Sequence, residues 1–280
     1  MIAADQVSKR FGAVMALRGV SVGVSAGAVT CVLGDNGAGK STLMSILSGV
    51  TTPDNGIVML EGAPIRFRGP HQALANGIAT VYQDLALVSV LPVYRNFWLG
   101  HEDELRRGPL RRFDGKRAKL IAAQELGRLV GGVSDVRRPL STLSGGQRQS
   151  LAIARAIYFG ARVIILDEPT AALGLRQAGV VLMFIQDACQ RGVGVALITH
   201  NLQHALLVGD RFVVLEHGQV AAAFGRGERS FEEVAEMVSG GAEASAMQEA
   251  LERARAEVGR EIAHTQDGRP ARVVKRRPRA

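Results

Sequence analysis

The clearest hydrophobic pattern in the chain is a series of short β-prone runs, each stopped by a glycine, an acid or a polar turn. Val29-Thr30-Cys31-Val32-Leu33 ends at Gly34, and Leu43, Ile46 and Leu47 then recur at helical spacing before Gly49. That segment predicts strand, glycine loop, helix. Further strand-like runs fall at Ile57–Leu60, Ile78–Tyr82, Val163–Leu166, Val193–Ile198 and Phe212–Leu215, with helical periodicity at Leu175–Gln190 and Asn201–Val208 between the later ones. Alternation of this kind implies an α/β protein with a mainly parallel sheet covered by helices.

From about Asp84 to Gln149 the texture changes to longer, charge-rich helical stretches such as Lys116–Leu129, which predicts a helical insertion in the sheet domain. Ser230-Phe231-Glu232-Glu233 is a capping box opening a short helix to about Val238, and Ala242–His264 reads as a charged terminal helix. No long segment recurs. The expected organisation is one domain over 1–240, with a core at about 1–85 and 150–228 and a helical subdomain at about 86–149, followed by a helix and basic tail over 241–280.

Composition narrows the class. With 280 residues and 47% hydrophobic side chains the chain can bury a large core. No apolar run approaches the roughly 20 residues of a membrane-spanning helix, and the start MIAADQVSKRF lacks a signal peptide's apolar stretch, so a cytoplasmic chain is expected. Cys31 and Cys189 lie in apolar segments without metal-ligand spacing and read as small hydrophobes. The net charge of +8 would raise nucleic-acid binding, but six positives (Arg269, Arg272, Lys275, Arg276, Arg277, Arg279) sit in the last 13 residues without an acid, leaving a body near +2 (8 − 6). No nucleic-acid partner is therefore expected. The tail is expected to be disordered and solvated, with contact to anionic lipid head groups as the alternative.

Three segments carry chemistry. Gly34-Asp35-Asn36-Gly37-Ala38-Gly39-Lys40-Ser41-Thr42 fits G-x-x-x-x-G-K-[ST] between a strand and a helix. Its glycines let successive N–H groups face phosphate oxygens at the positive end of a helix. Lys40 is suited to the β- and γ-phosphates and the Ser41 hydroxyl to Mg²⁺. Val163-Ile164-Ile165-Leu166-Asp167-Glu168 is an apolar run ending in two acids. Beside a phosphate cradle, Asp167 can hold Mg²⁺ directly or through water, and Glu168 can act on the attacking water, a general-base contribution of roughly 10²–10⁴-fold. Leu143-Ser144-Gly145-Gly146-Gln147 precedes the helical run Ser150–Tyr158 and so places a serine and two glycines at a second helix start. One triphosphate needs one cradle; a second anion-binding helix tip suggests service to a neighbour's nucleotide.

With that last motif the chain resembles the ABC transporter ATPases, whose signature reads LSGGQ. The resemblance covers about residues 3–240 in the family's order. Gln83 in Val81-Tyr82-Gln83-Asp84 matches the Q-loop glutamine, a further Mg²⁺ contact; His200 in Ile198-Thr199-His200 matches the switch histidine; Phe11 stands where the family has an aromatic stacking on adenine. The resemblance implies a P-loop NTPase core with an antiparallel β part and a helical subdomain. It also implies ATP and Mg²⁺ as ligands, and two copies closing head to tail. Each nucleotide would lie between one P-loop and Ser144, Gly145, Gly146 and Gln147 of the other copy. A separate permease would sit in the membrane, placing the ATPase peripherally on its cytoplasmic face. One departure stands out: after Glu168-Pro169-Thr170 the family usually continues S-A-L-D, whereas this chain has Ala171-Ala172-Leu173-Gly174. The missing carboxylate puts in doubt any signal between the two sites that relies on it.

Gly34–Gly39, Ala79-Thr80-Val81-Tyr82-Gln83-Asp84-Leu85, Arg95-Asn96-Phe97-Trp98-Leu99-Gly100 and Thr199-His200-Asn201 are similar to the ATPases of monosaccharide importers, single-cassette branch. This implies import of a monosaccharide or cyclitol delivered by a sugar-binding protein; no physical property of these residues specifies sugar. Alternatives left open are an importer of another small solute, a soluble ABC ATPase acting on ribosomes or DNA, and a nucleotide sensor with negligible hydrolysis. The single cassette without an inserted coiled coil weighs against the second.

Overall fold

The computed structural model describes residues 1–107, 112–127 and 135–238. The helix expected over Ala242–His264 and the basic tail lie outside the described residues. In chain order the elements are β1 (Ile2–Phe11), β2 (Val14–Val24), β3 (Val29–Leu33), α1 (Lys40–Leu47), β4 (Asn55–Leu60), β5 (Ala63–Ile65), α2 (Pro70–Ala75), β6 (Ile78–Val81) and α3 (Val93–Trp98). Then come the short pair β7 (Arg106–Arg107) and β8 (Arg112–Phe113), α4 (Gly115–Gly127), α5 (Gly145–Tyr158), β9 (Val163–Asp167), α6 (Leu175–Gln190), β10 (Gly194–Ile198), α7 (Leu202–Val208), β11 (Arg211–Glu216), β12 (Gln219–Gly225) and α8 (Phe231–Val238).

Six strands form the main sheet in the order β12-β11-β3-β10-β9-β6, parallel except for the antiparallel edge strand β12. Every residue of β3 and β10 is buried, which is why these strands read as unbroken apolar runs: both faces are covered. The two-residue side-chain period divides them between two cores. Val32, Ile165 and Ile198 face one core with α1 and the second, antiparallel sheet β2-β1-β4-β5, whereas Cys31, Leu33, Ile164, Leu166 and Leu197 face the other with α6. The mainly parallel α/β core with an antiparallel part is thus as expected.

A third core holds the helical layer, where Phe97, Trp98, Leu126, Leu140 and Leu151 are buried. α5 belongs to both regions, giving Leu151 and Ala154 to the helical core and Ile153 to the sheet core. Asn96, fully buried, explains part of the Arg95–Gly100 stretch: its Oδ1 accepts the Val88 N–H (2.7 Å) and its Nδ2 donates to Val88 O (3.0 Å) and Leu91 O (3.2 Å), tying the loop after β6 to α3. The capping box at Ser230 forms, with Glu233 N–H donating to Ser230 Oγ at 3.2 Å and Ser230 N–H to Glu233 Oε2 at 2.7 Å. Cys31 is buried and Cys189 half-buried; burial raises both thiols, Cys189 to about 11, so both stay protonated at neutral pH as small apolar groups. Among the described residues no helix is long and apolar enough to cross a membrane.

Candidate nucleotide site

Parallel strands deliver their following loops to one edge of a sheet, and ligands of such folds bind there. β3 runs into Gly34–Gly39, its neighbour β10 into Thr199 and His200, β9 into Asp167 and Glu168, and β6 into Gln83, which lies exposed two residues past the strand end.

The glycine loop needs its glycines. Gly39 caps α1 at φ 102, and a Cβ there would meet Ala16 O at 2.7 Å and Leu17 Cδ2 at 2.8 Å; Gly34, at φ 144, is pressed against the Leu215 carbonyl. A turn between β11 and β12 staples the cradle, since Gly218 N–H donates to Ala38 O (3.1 Å) and Arg18 N–H to Gly218 O (2.7 Å). Lys40 is buried, and its Nζ donates to Gly34 O and Asp35 O, both at 2.8 Å, so the loop's own carbonyls satisfy an ammonium aimed into the loop. Burial lowers the Lys40 pKa, opposed by Glu168, Asp35 and Asp167. Asp167, at the tip of β9, is raised chiefly by burial, then by adjacent Glu168, with Lys40 opposing. These entwined shifts show that Lys40, Asp167 and Glu168 share one electrostatic site.

Glu168 adopts φ 47, a left-handed backbone rare for a full side chain. Its Oε2 accepts from Thr199 Oγ1 (3.0 Å) and its Oε1 from the His200 N–H (2.9 Å), while His200 Nδ1 lies 2.7 Å from Oε1. The acid and the histidine, 32 residues apart in sequence, are therefore hydrogen-bonded to each other.

Ser144 caps α5, its Oγ accepting the Gln147 N–H (3.2 Å), and Gln147 Oε1 in return accepts the Ser144 N–H (3.1 Å). The Gln147 side chain thus serves the cap. Gly145 and Gly146 permit close contact with α6 and the segment leading into it: a Cβ on Gly145 would lie 2.7 Å from Leu173 Cδ2, just before α6, and one on Gly146 2.9 Å from Gln177 Cβ within it. This helix tip neighbours α6. Phe11 ends β1, opposite Val14 in the β1–β2 hairpin, and is 52% exposed, with Lys9 Nζ 5.6 Å from its ring centroid. Val14 opens a cleft of about 380 Å³ that Arg18, Ser41, Thr42 and His217 also line. Thr199, against Glu168, and Arg18 and His217, lining the cleft, are candidate site residues beyond those that sequence reasoning identifies; Thr199 adjoins the switch histidine, and His217-Gly218 is a turn signal between two strands.

Strand, glycine cradle and helix, with an acid pair on a nearby parallel strand, define a P-loop nucleoside triphosphatase. The chain belongs to the ABC transporter family, whose model, described as ABC transporter, matches residues 17–171. It is 42% identical over 234 residues to the xylose/arabinose import ATP-binding protein XylG of Sulfolobus acidocaldarius, covering 83% of this chain and 91% of that protein. It is 41% identical over 230 residues to the fructose import ATP-binding protein FrcA of Rhizobium meliloti, covering 78% and 86%. Among solved structures it resembles a nucleotide-free ATP-binding cassette from an ABC transporter, with TM-score 0.72 and 28% identity over 85% of this chain and 95% of that one. The protein is an ATP-binding, ATP-hydrolysing subunit of that family.

Proposed function

We propose that this chain powers import of a sugar, a monosaccharide or cyclitol, through a separate permease, working as a head-to-tail homodimer on the cytoplasmic face of the membrane and fed by a sugar-binding protein. The observation that carries the sugar assignment is the alignment, along most of their lengths, with two import ATP-binding proteins named for sugars. For the permease contact, an apolar cleft of about 270 Å³ supports the reading. It lies just beyond Gln83, between β6 and the helical layer, lined by Tyr82, Leu85, Leu87, Ala156 and Phe159 with Arg155 at its side.

In the proposed mechanism, backbone N–H groups of Gly34, Asp35, Asn36, Gly37, Ala38 and Gly39 and the start of α1 at Ser41 and Thr42 cradle the phosphates, and Lys40 exchanges its loop carbonyls for phosphate oxygens. Phe11 stacks on the adenine. The fit to Mg²⁺ rests on the donor set: an exposed hydroxyl (Ser41), an amide (Gln83) and one acid (Asp167), too few for an all-protein cage but suited to an ion that keeps waters and phosphate oxygens. Bound there, Mg²⁺ would neutralise charge on the transferring phosphoryl group. Glu168 takes the proton of the attacking water, and His200 orients Glu168 and the γ-phosphate. Ser144, Gly145, Gly146 and Gln147 of a second copy complete the site, so ATP favours the closed dimer and loss of the γ-phosphate contact reopens it.

Two variants test this. Lys40→Ala is expected to weaken ATP binding at least tenfold, whereas Glu168→Gln binds Mg-ATP, runs as a dimer on size exclusion and loses at least 100-fold in turnover. Brisk hydrolysis by Glu168→Gln removes Glu168 from the base role. Proteoliposomes holding the permease that take up no sugar on addition of ATP and a loaded binding protein refute the sugar reading.

A further inference from the structure

A closed circuit of hydrogen bonds runs behind the site. Thr199 Oγ1 donates to Glu168 Oε2 (3.0 Å) and accepts the Asn201 N–H (3.0 Å); Asn201 Oδ1 accepts the His204 N–H (3.0 Å) at the start of α7; His204 Nδ1 is hydrogen-bonded to Thr170 Oγ1 (2.9 Å). Thr170 returns to Glu168 through Pro169 alone. Two links are local, Asn201 to Thr199 and His204 to Asn201, and two are long-range: Thr199 to Glu168 spans 31 residues, and His204 to Thr170 spans 34 and joins α7 to the segment after β9.

That link matters because of what it holds. Glu168 has a left-handed backbone at φ 47, which persists only where the surroundings over-determine it. Its N–H is anchored to Ile198 O (2.8 Å), fixing the residue on its upstream side. Downstream, the Ala171 N–H donates to Glu168 O (3.0 Å) and closes the turn, but Pro169 has a locked φ and no N–H, so the first side chain that ties this turn to another element is Thr170. Thr170 is 6% exposed and His204 half-buried, so a hydroxyl deprived of this partner would be left in a dry site.

We propose that His204 is a positioning residue for hydrolysis: by holding Thr170 it fixes the Glu168-Pro169-Thr170 corner and thereby the aim of the Glu168 carboxylate. The inference rests on Glu168 acting on the water, and it adds a second histidine, four residues beyond His200, that acts through Thr170 rather than on the reacting atoms. Because a carboxylate misaimed by a fraction of an ångström still permits ATP binding, the role separates kcat from KM.

The test is steady-state ATP hydrolysis by the full chain assembled with its permease. His204→Ala and Thr170→Val are each expected to lower kcat about tenfold with KM for ATP within about twofold of wild type, and the double variant to be no worse than the worse single. His204→Asn, whose amide reaches the Nδ1 position and can donate or accept, restores kcat to within about threefold of wild type. The proposal is overturned if His204→Ala keeps wild-type kcat, if KM rises in proportion, if the two losses multiply, or if His204→Asn folds with unchanged Tm yet fails to restore turnover. Should His204→Ala not fold, the Thr170 pair decides: Thr170→Ser must keep wild-type kcat and Thr170→Val lose it. Failure of the Glu168 reading shows up separately, as Glu168→Gln that still turns over.

Discussion

Alanine at Gly39 and at Gly37 separates two reasons for a glycine that the motif alone runs together. Both residues have positive φ, 102 and 81, so an L side chain at either incurs backbone strain of about 1–2 kcal/mol. The surroundings differ. A Cβ at Gly37 meets no heavy atom within 4 Å, whereas one at Gly39 meets Ala16 O at 2.7 Å and Leu17 Cδ2 at 2.8 Å. Neither neighbour yields easily: Ala16 O is backbone within β2, and Leu17 is fully buried. Overpacking of this kind adds about 1–3 kcal/mol, so Gly37→Ala should cost about 1–2 kcal/mol and Gly39→Ala about 2–5 kcal/mol. For a domain of this size each kcal/mol moves Tm by about 2–4 °C, which predicts falls of roughly 2–8 °C and 4–20 °C. Thermal unfolding of both variants without nucleotide, followed by circular dichroism, reads packing free of ligand linkage. If Gly39→Ala proves as stable as Gly37→Ala, the cradle is not wedged against β2, and the account of how the loop is held fails.

Two further predictions concern charge and capping. Asp167 has its pKa raised by burial and by Glu168, so the folded state holds the proton more tightly than the unfolded chain and the ionised form destabilises the apo protein. Asp167→Asn should therefore raise Tm near pH 7–8 without nucleotide. That advantage should shrink as pH falls through the raised pKa and vanish below the ordinary carboxylate range, while Mg-ATP no longer stabilises the variant; a Tm gap that widens on acidification contradicts the sign. Gly174 N-caps α6 at φ −68 and ψ 160 with no side-chain bond and open space where a Cβ would go, so Gly174→Asp should fit without strain and add about 0.5–1 kcal/mol from capping and a stiffer unfolded chain. A fall in urea midpoint would show that this position is held by something other than α6.

How much of this could be read from the chain depends on whether a feature is local. β9 and β10 were legible because strands buried on both faces are continuous apolar runs, and α6 because its period persists over sixteen residues. β1 and β2 are not legible: their pairing slips between Ala4 and Val7, between Val7 and Lys9 and between Lys9 and Arg10, so no clean alternation survives in the sequence. β12 has only Phe224 buried, and α3 is six residues long, too short for a helical period to emerge. In the site, the glycine loop, the acid pair and the helix-tip glycines announce themselves because their chemistry lies in consecutive residues. Thr199 under Glu168 and Gly218 against the P-loop do not, since partners 31 and 180 residues apart in sequence meet only through strand order.

The same geometry supports the proposal that a nucleotide draws two copies together. Within one chain burial disfavours the charge on Lys40 and on Asp167, and two loop carbonyls accept from the Lys40 ammonium. On the proposed function, a triphosphate with its cation would relieve both, which would account for binding but not for closure, and the second helix tip would supply that step. Its capping box uses the Ser144 and Gln147 amides, whereas helix geometry gives the Gly145 and Gly146 N–H groups no intrahelical acceptor, and the two glycines pack against Leu173 and the start of α6 rather than the chain's own P-loop. Donors with a positive helix end behind them favour an anion. In the proposed head-to-tail dimer the anion they would meet is the γ-phosphate held by another copy, present before hydrolysis and released after it, which would tie the free energy of closure to that one group.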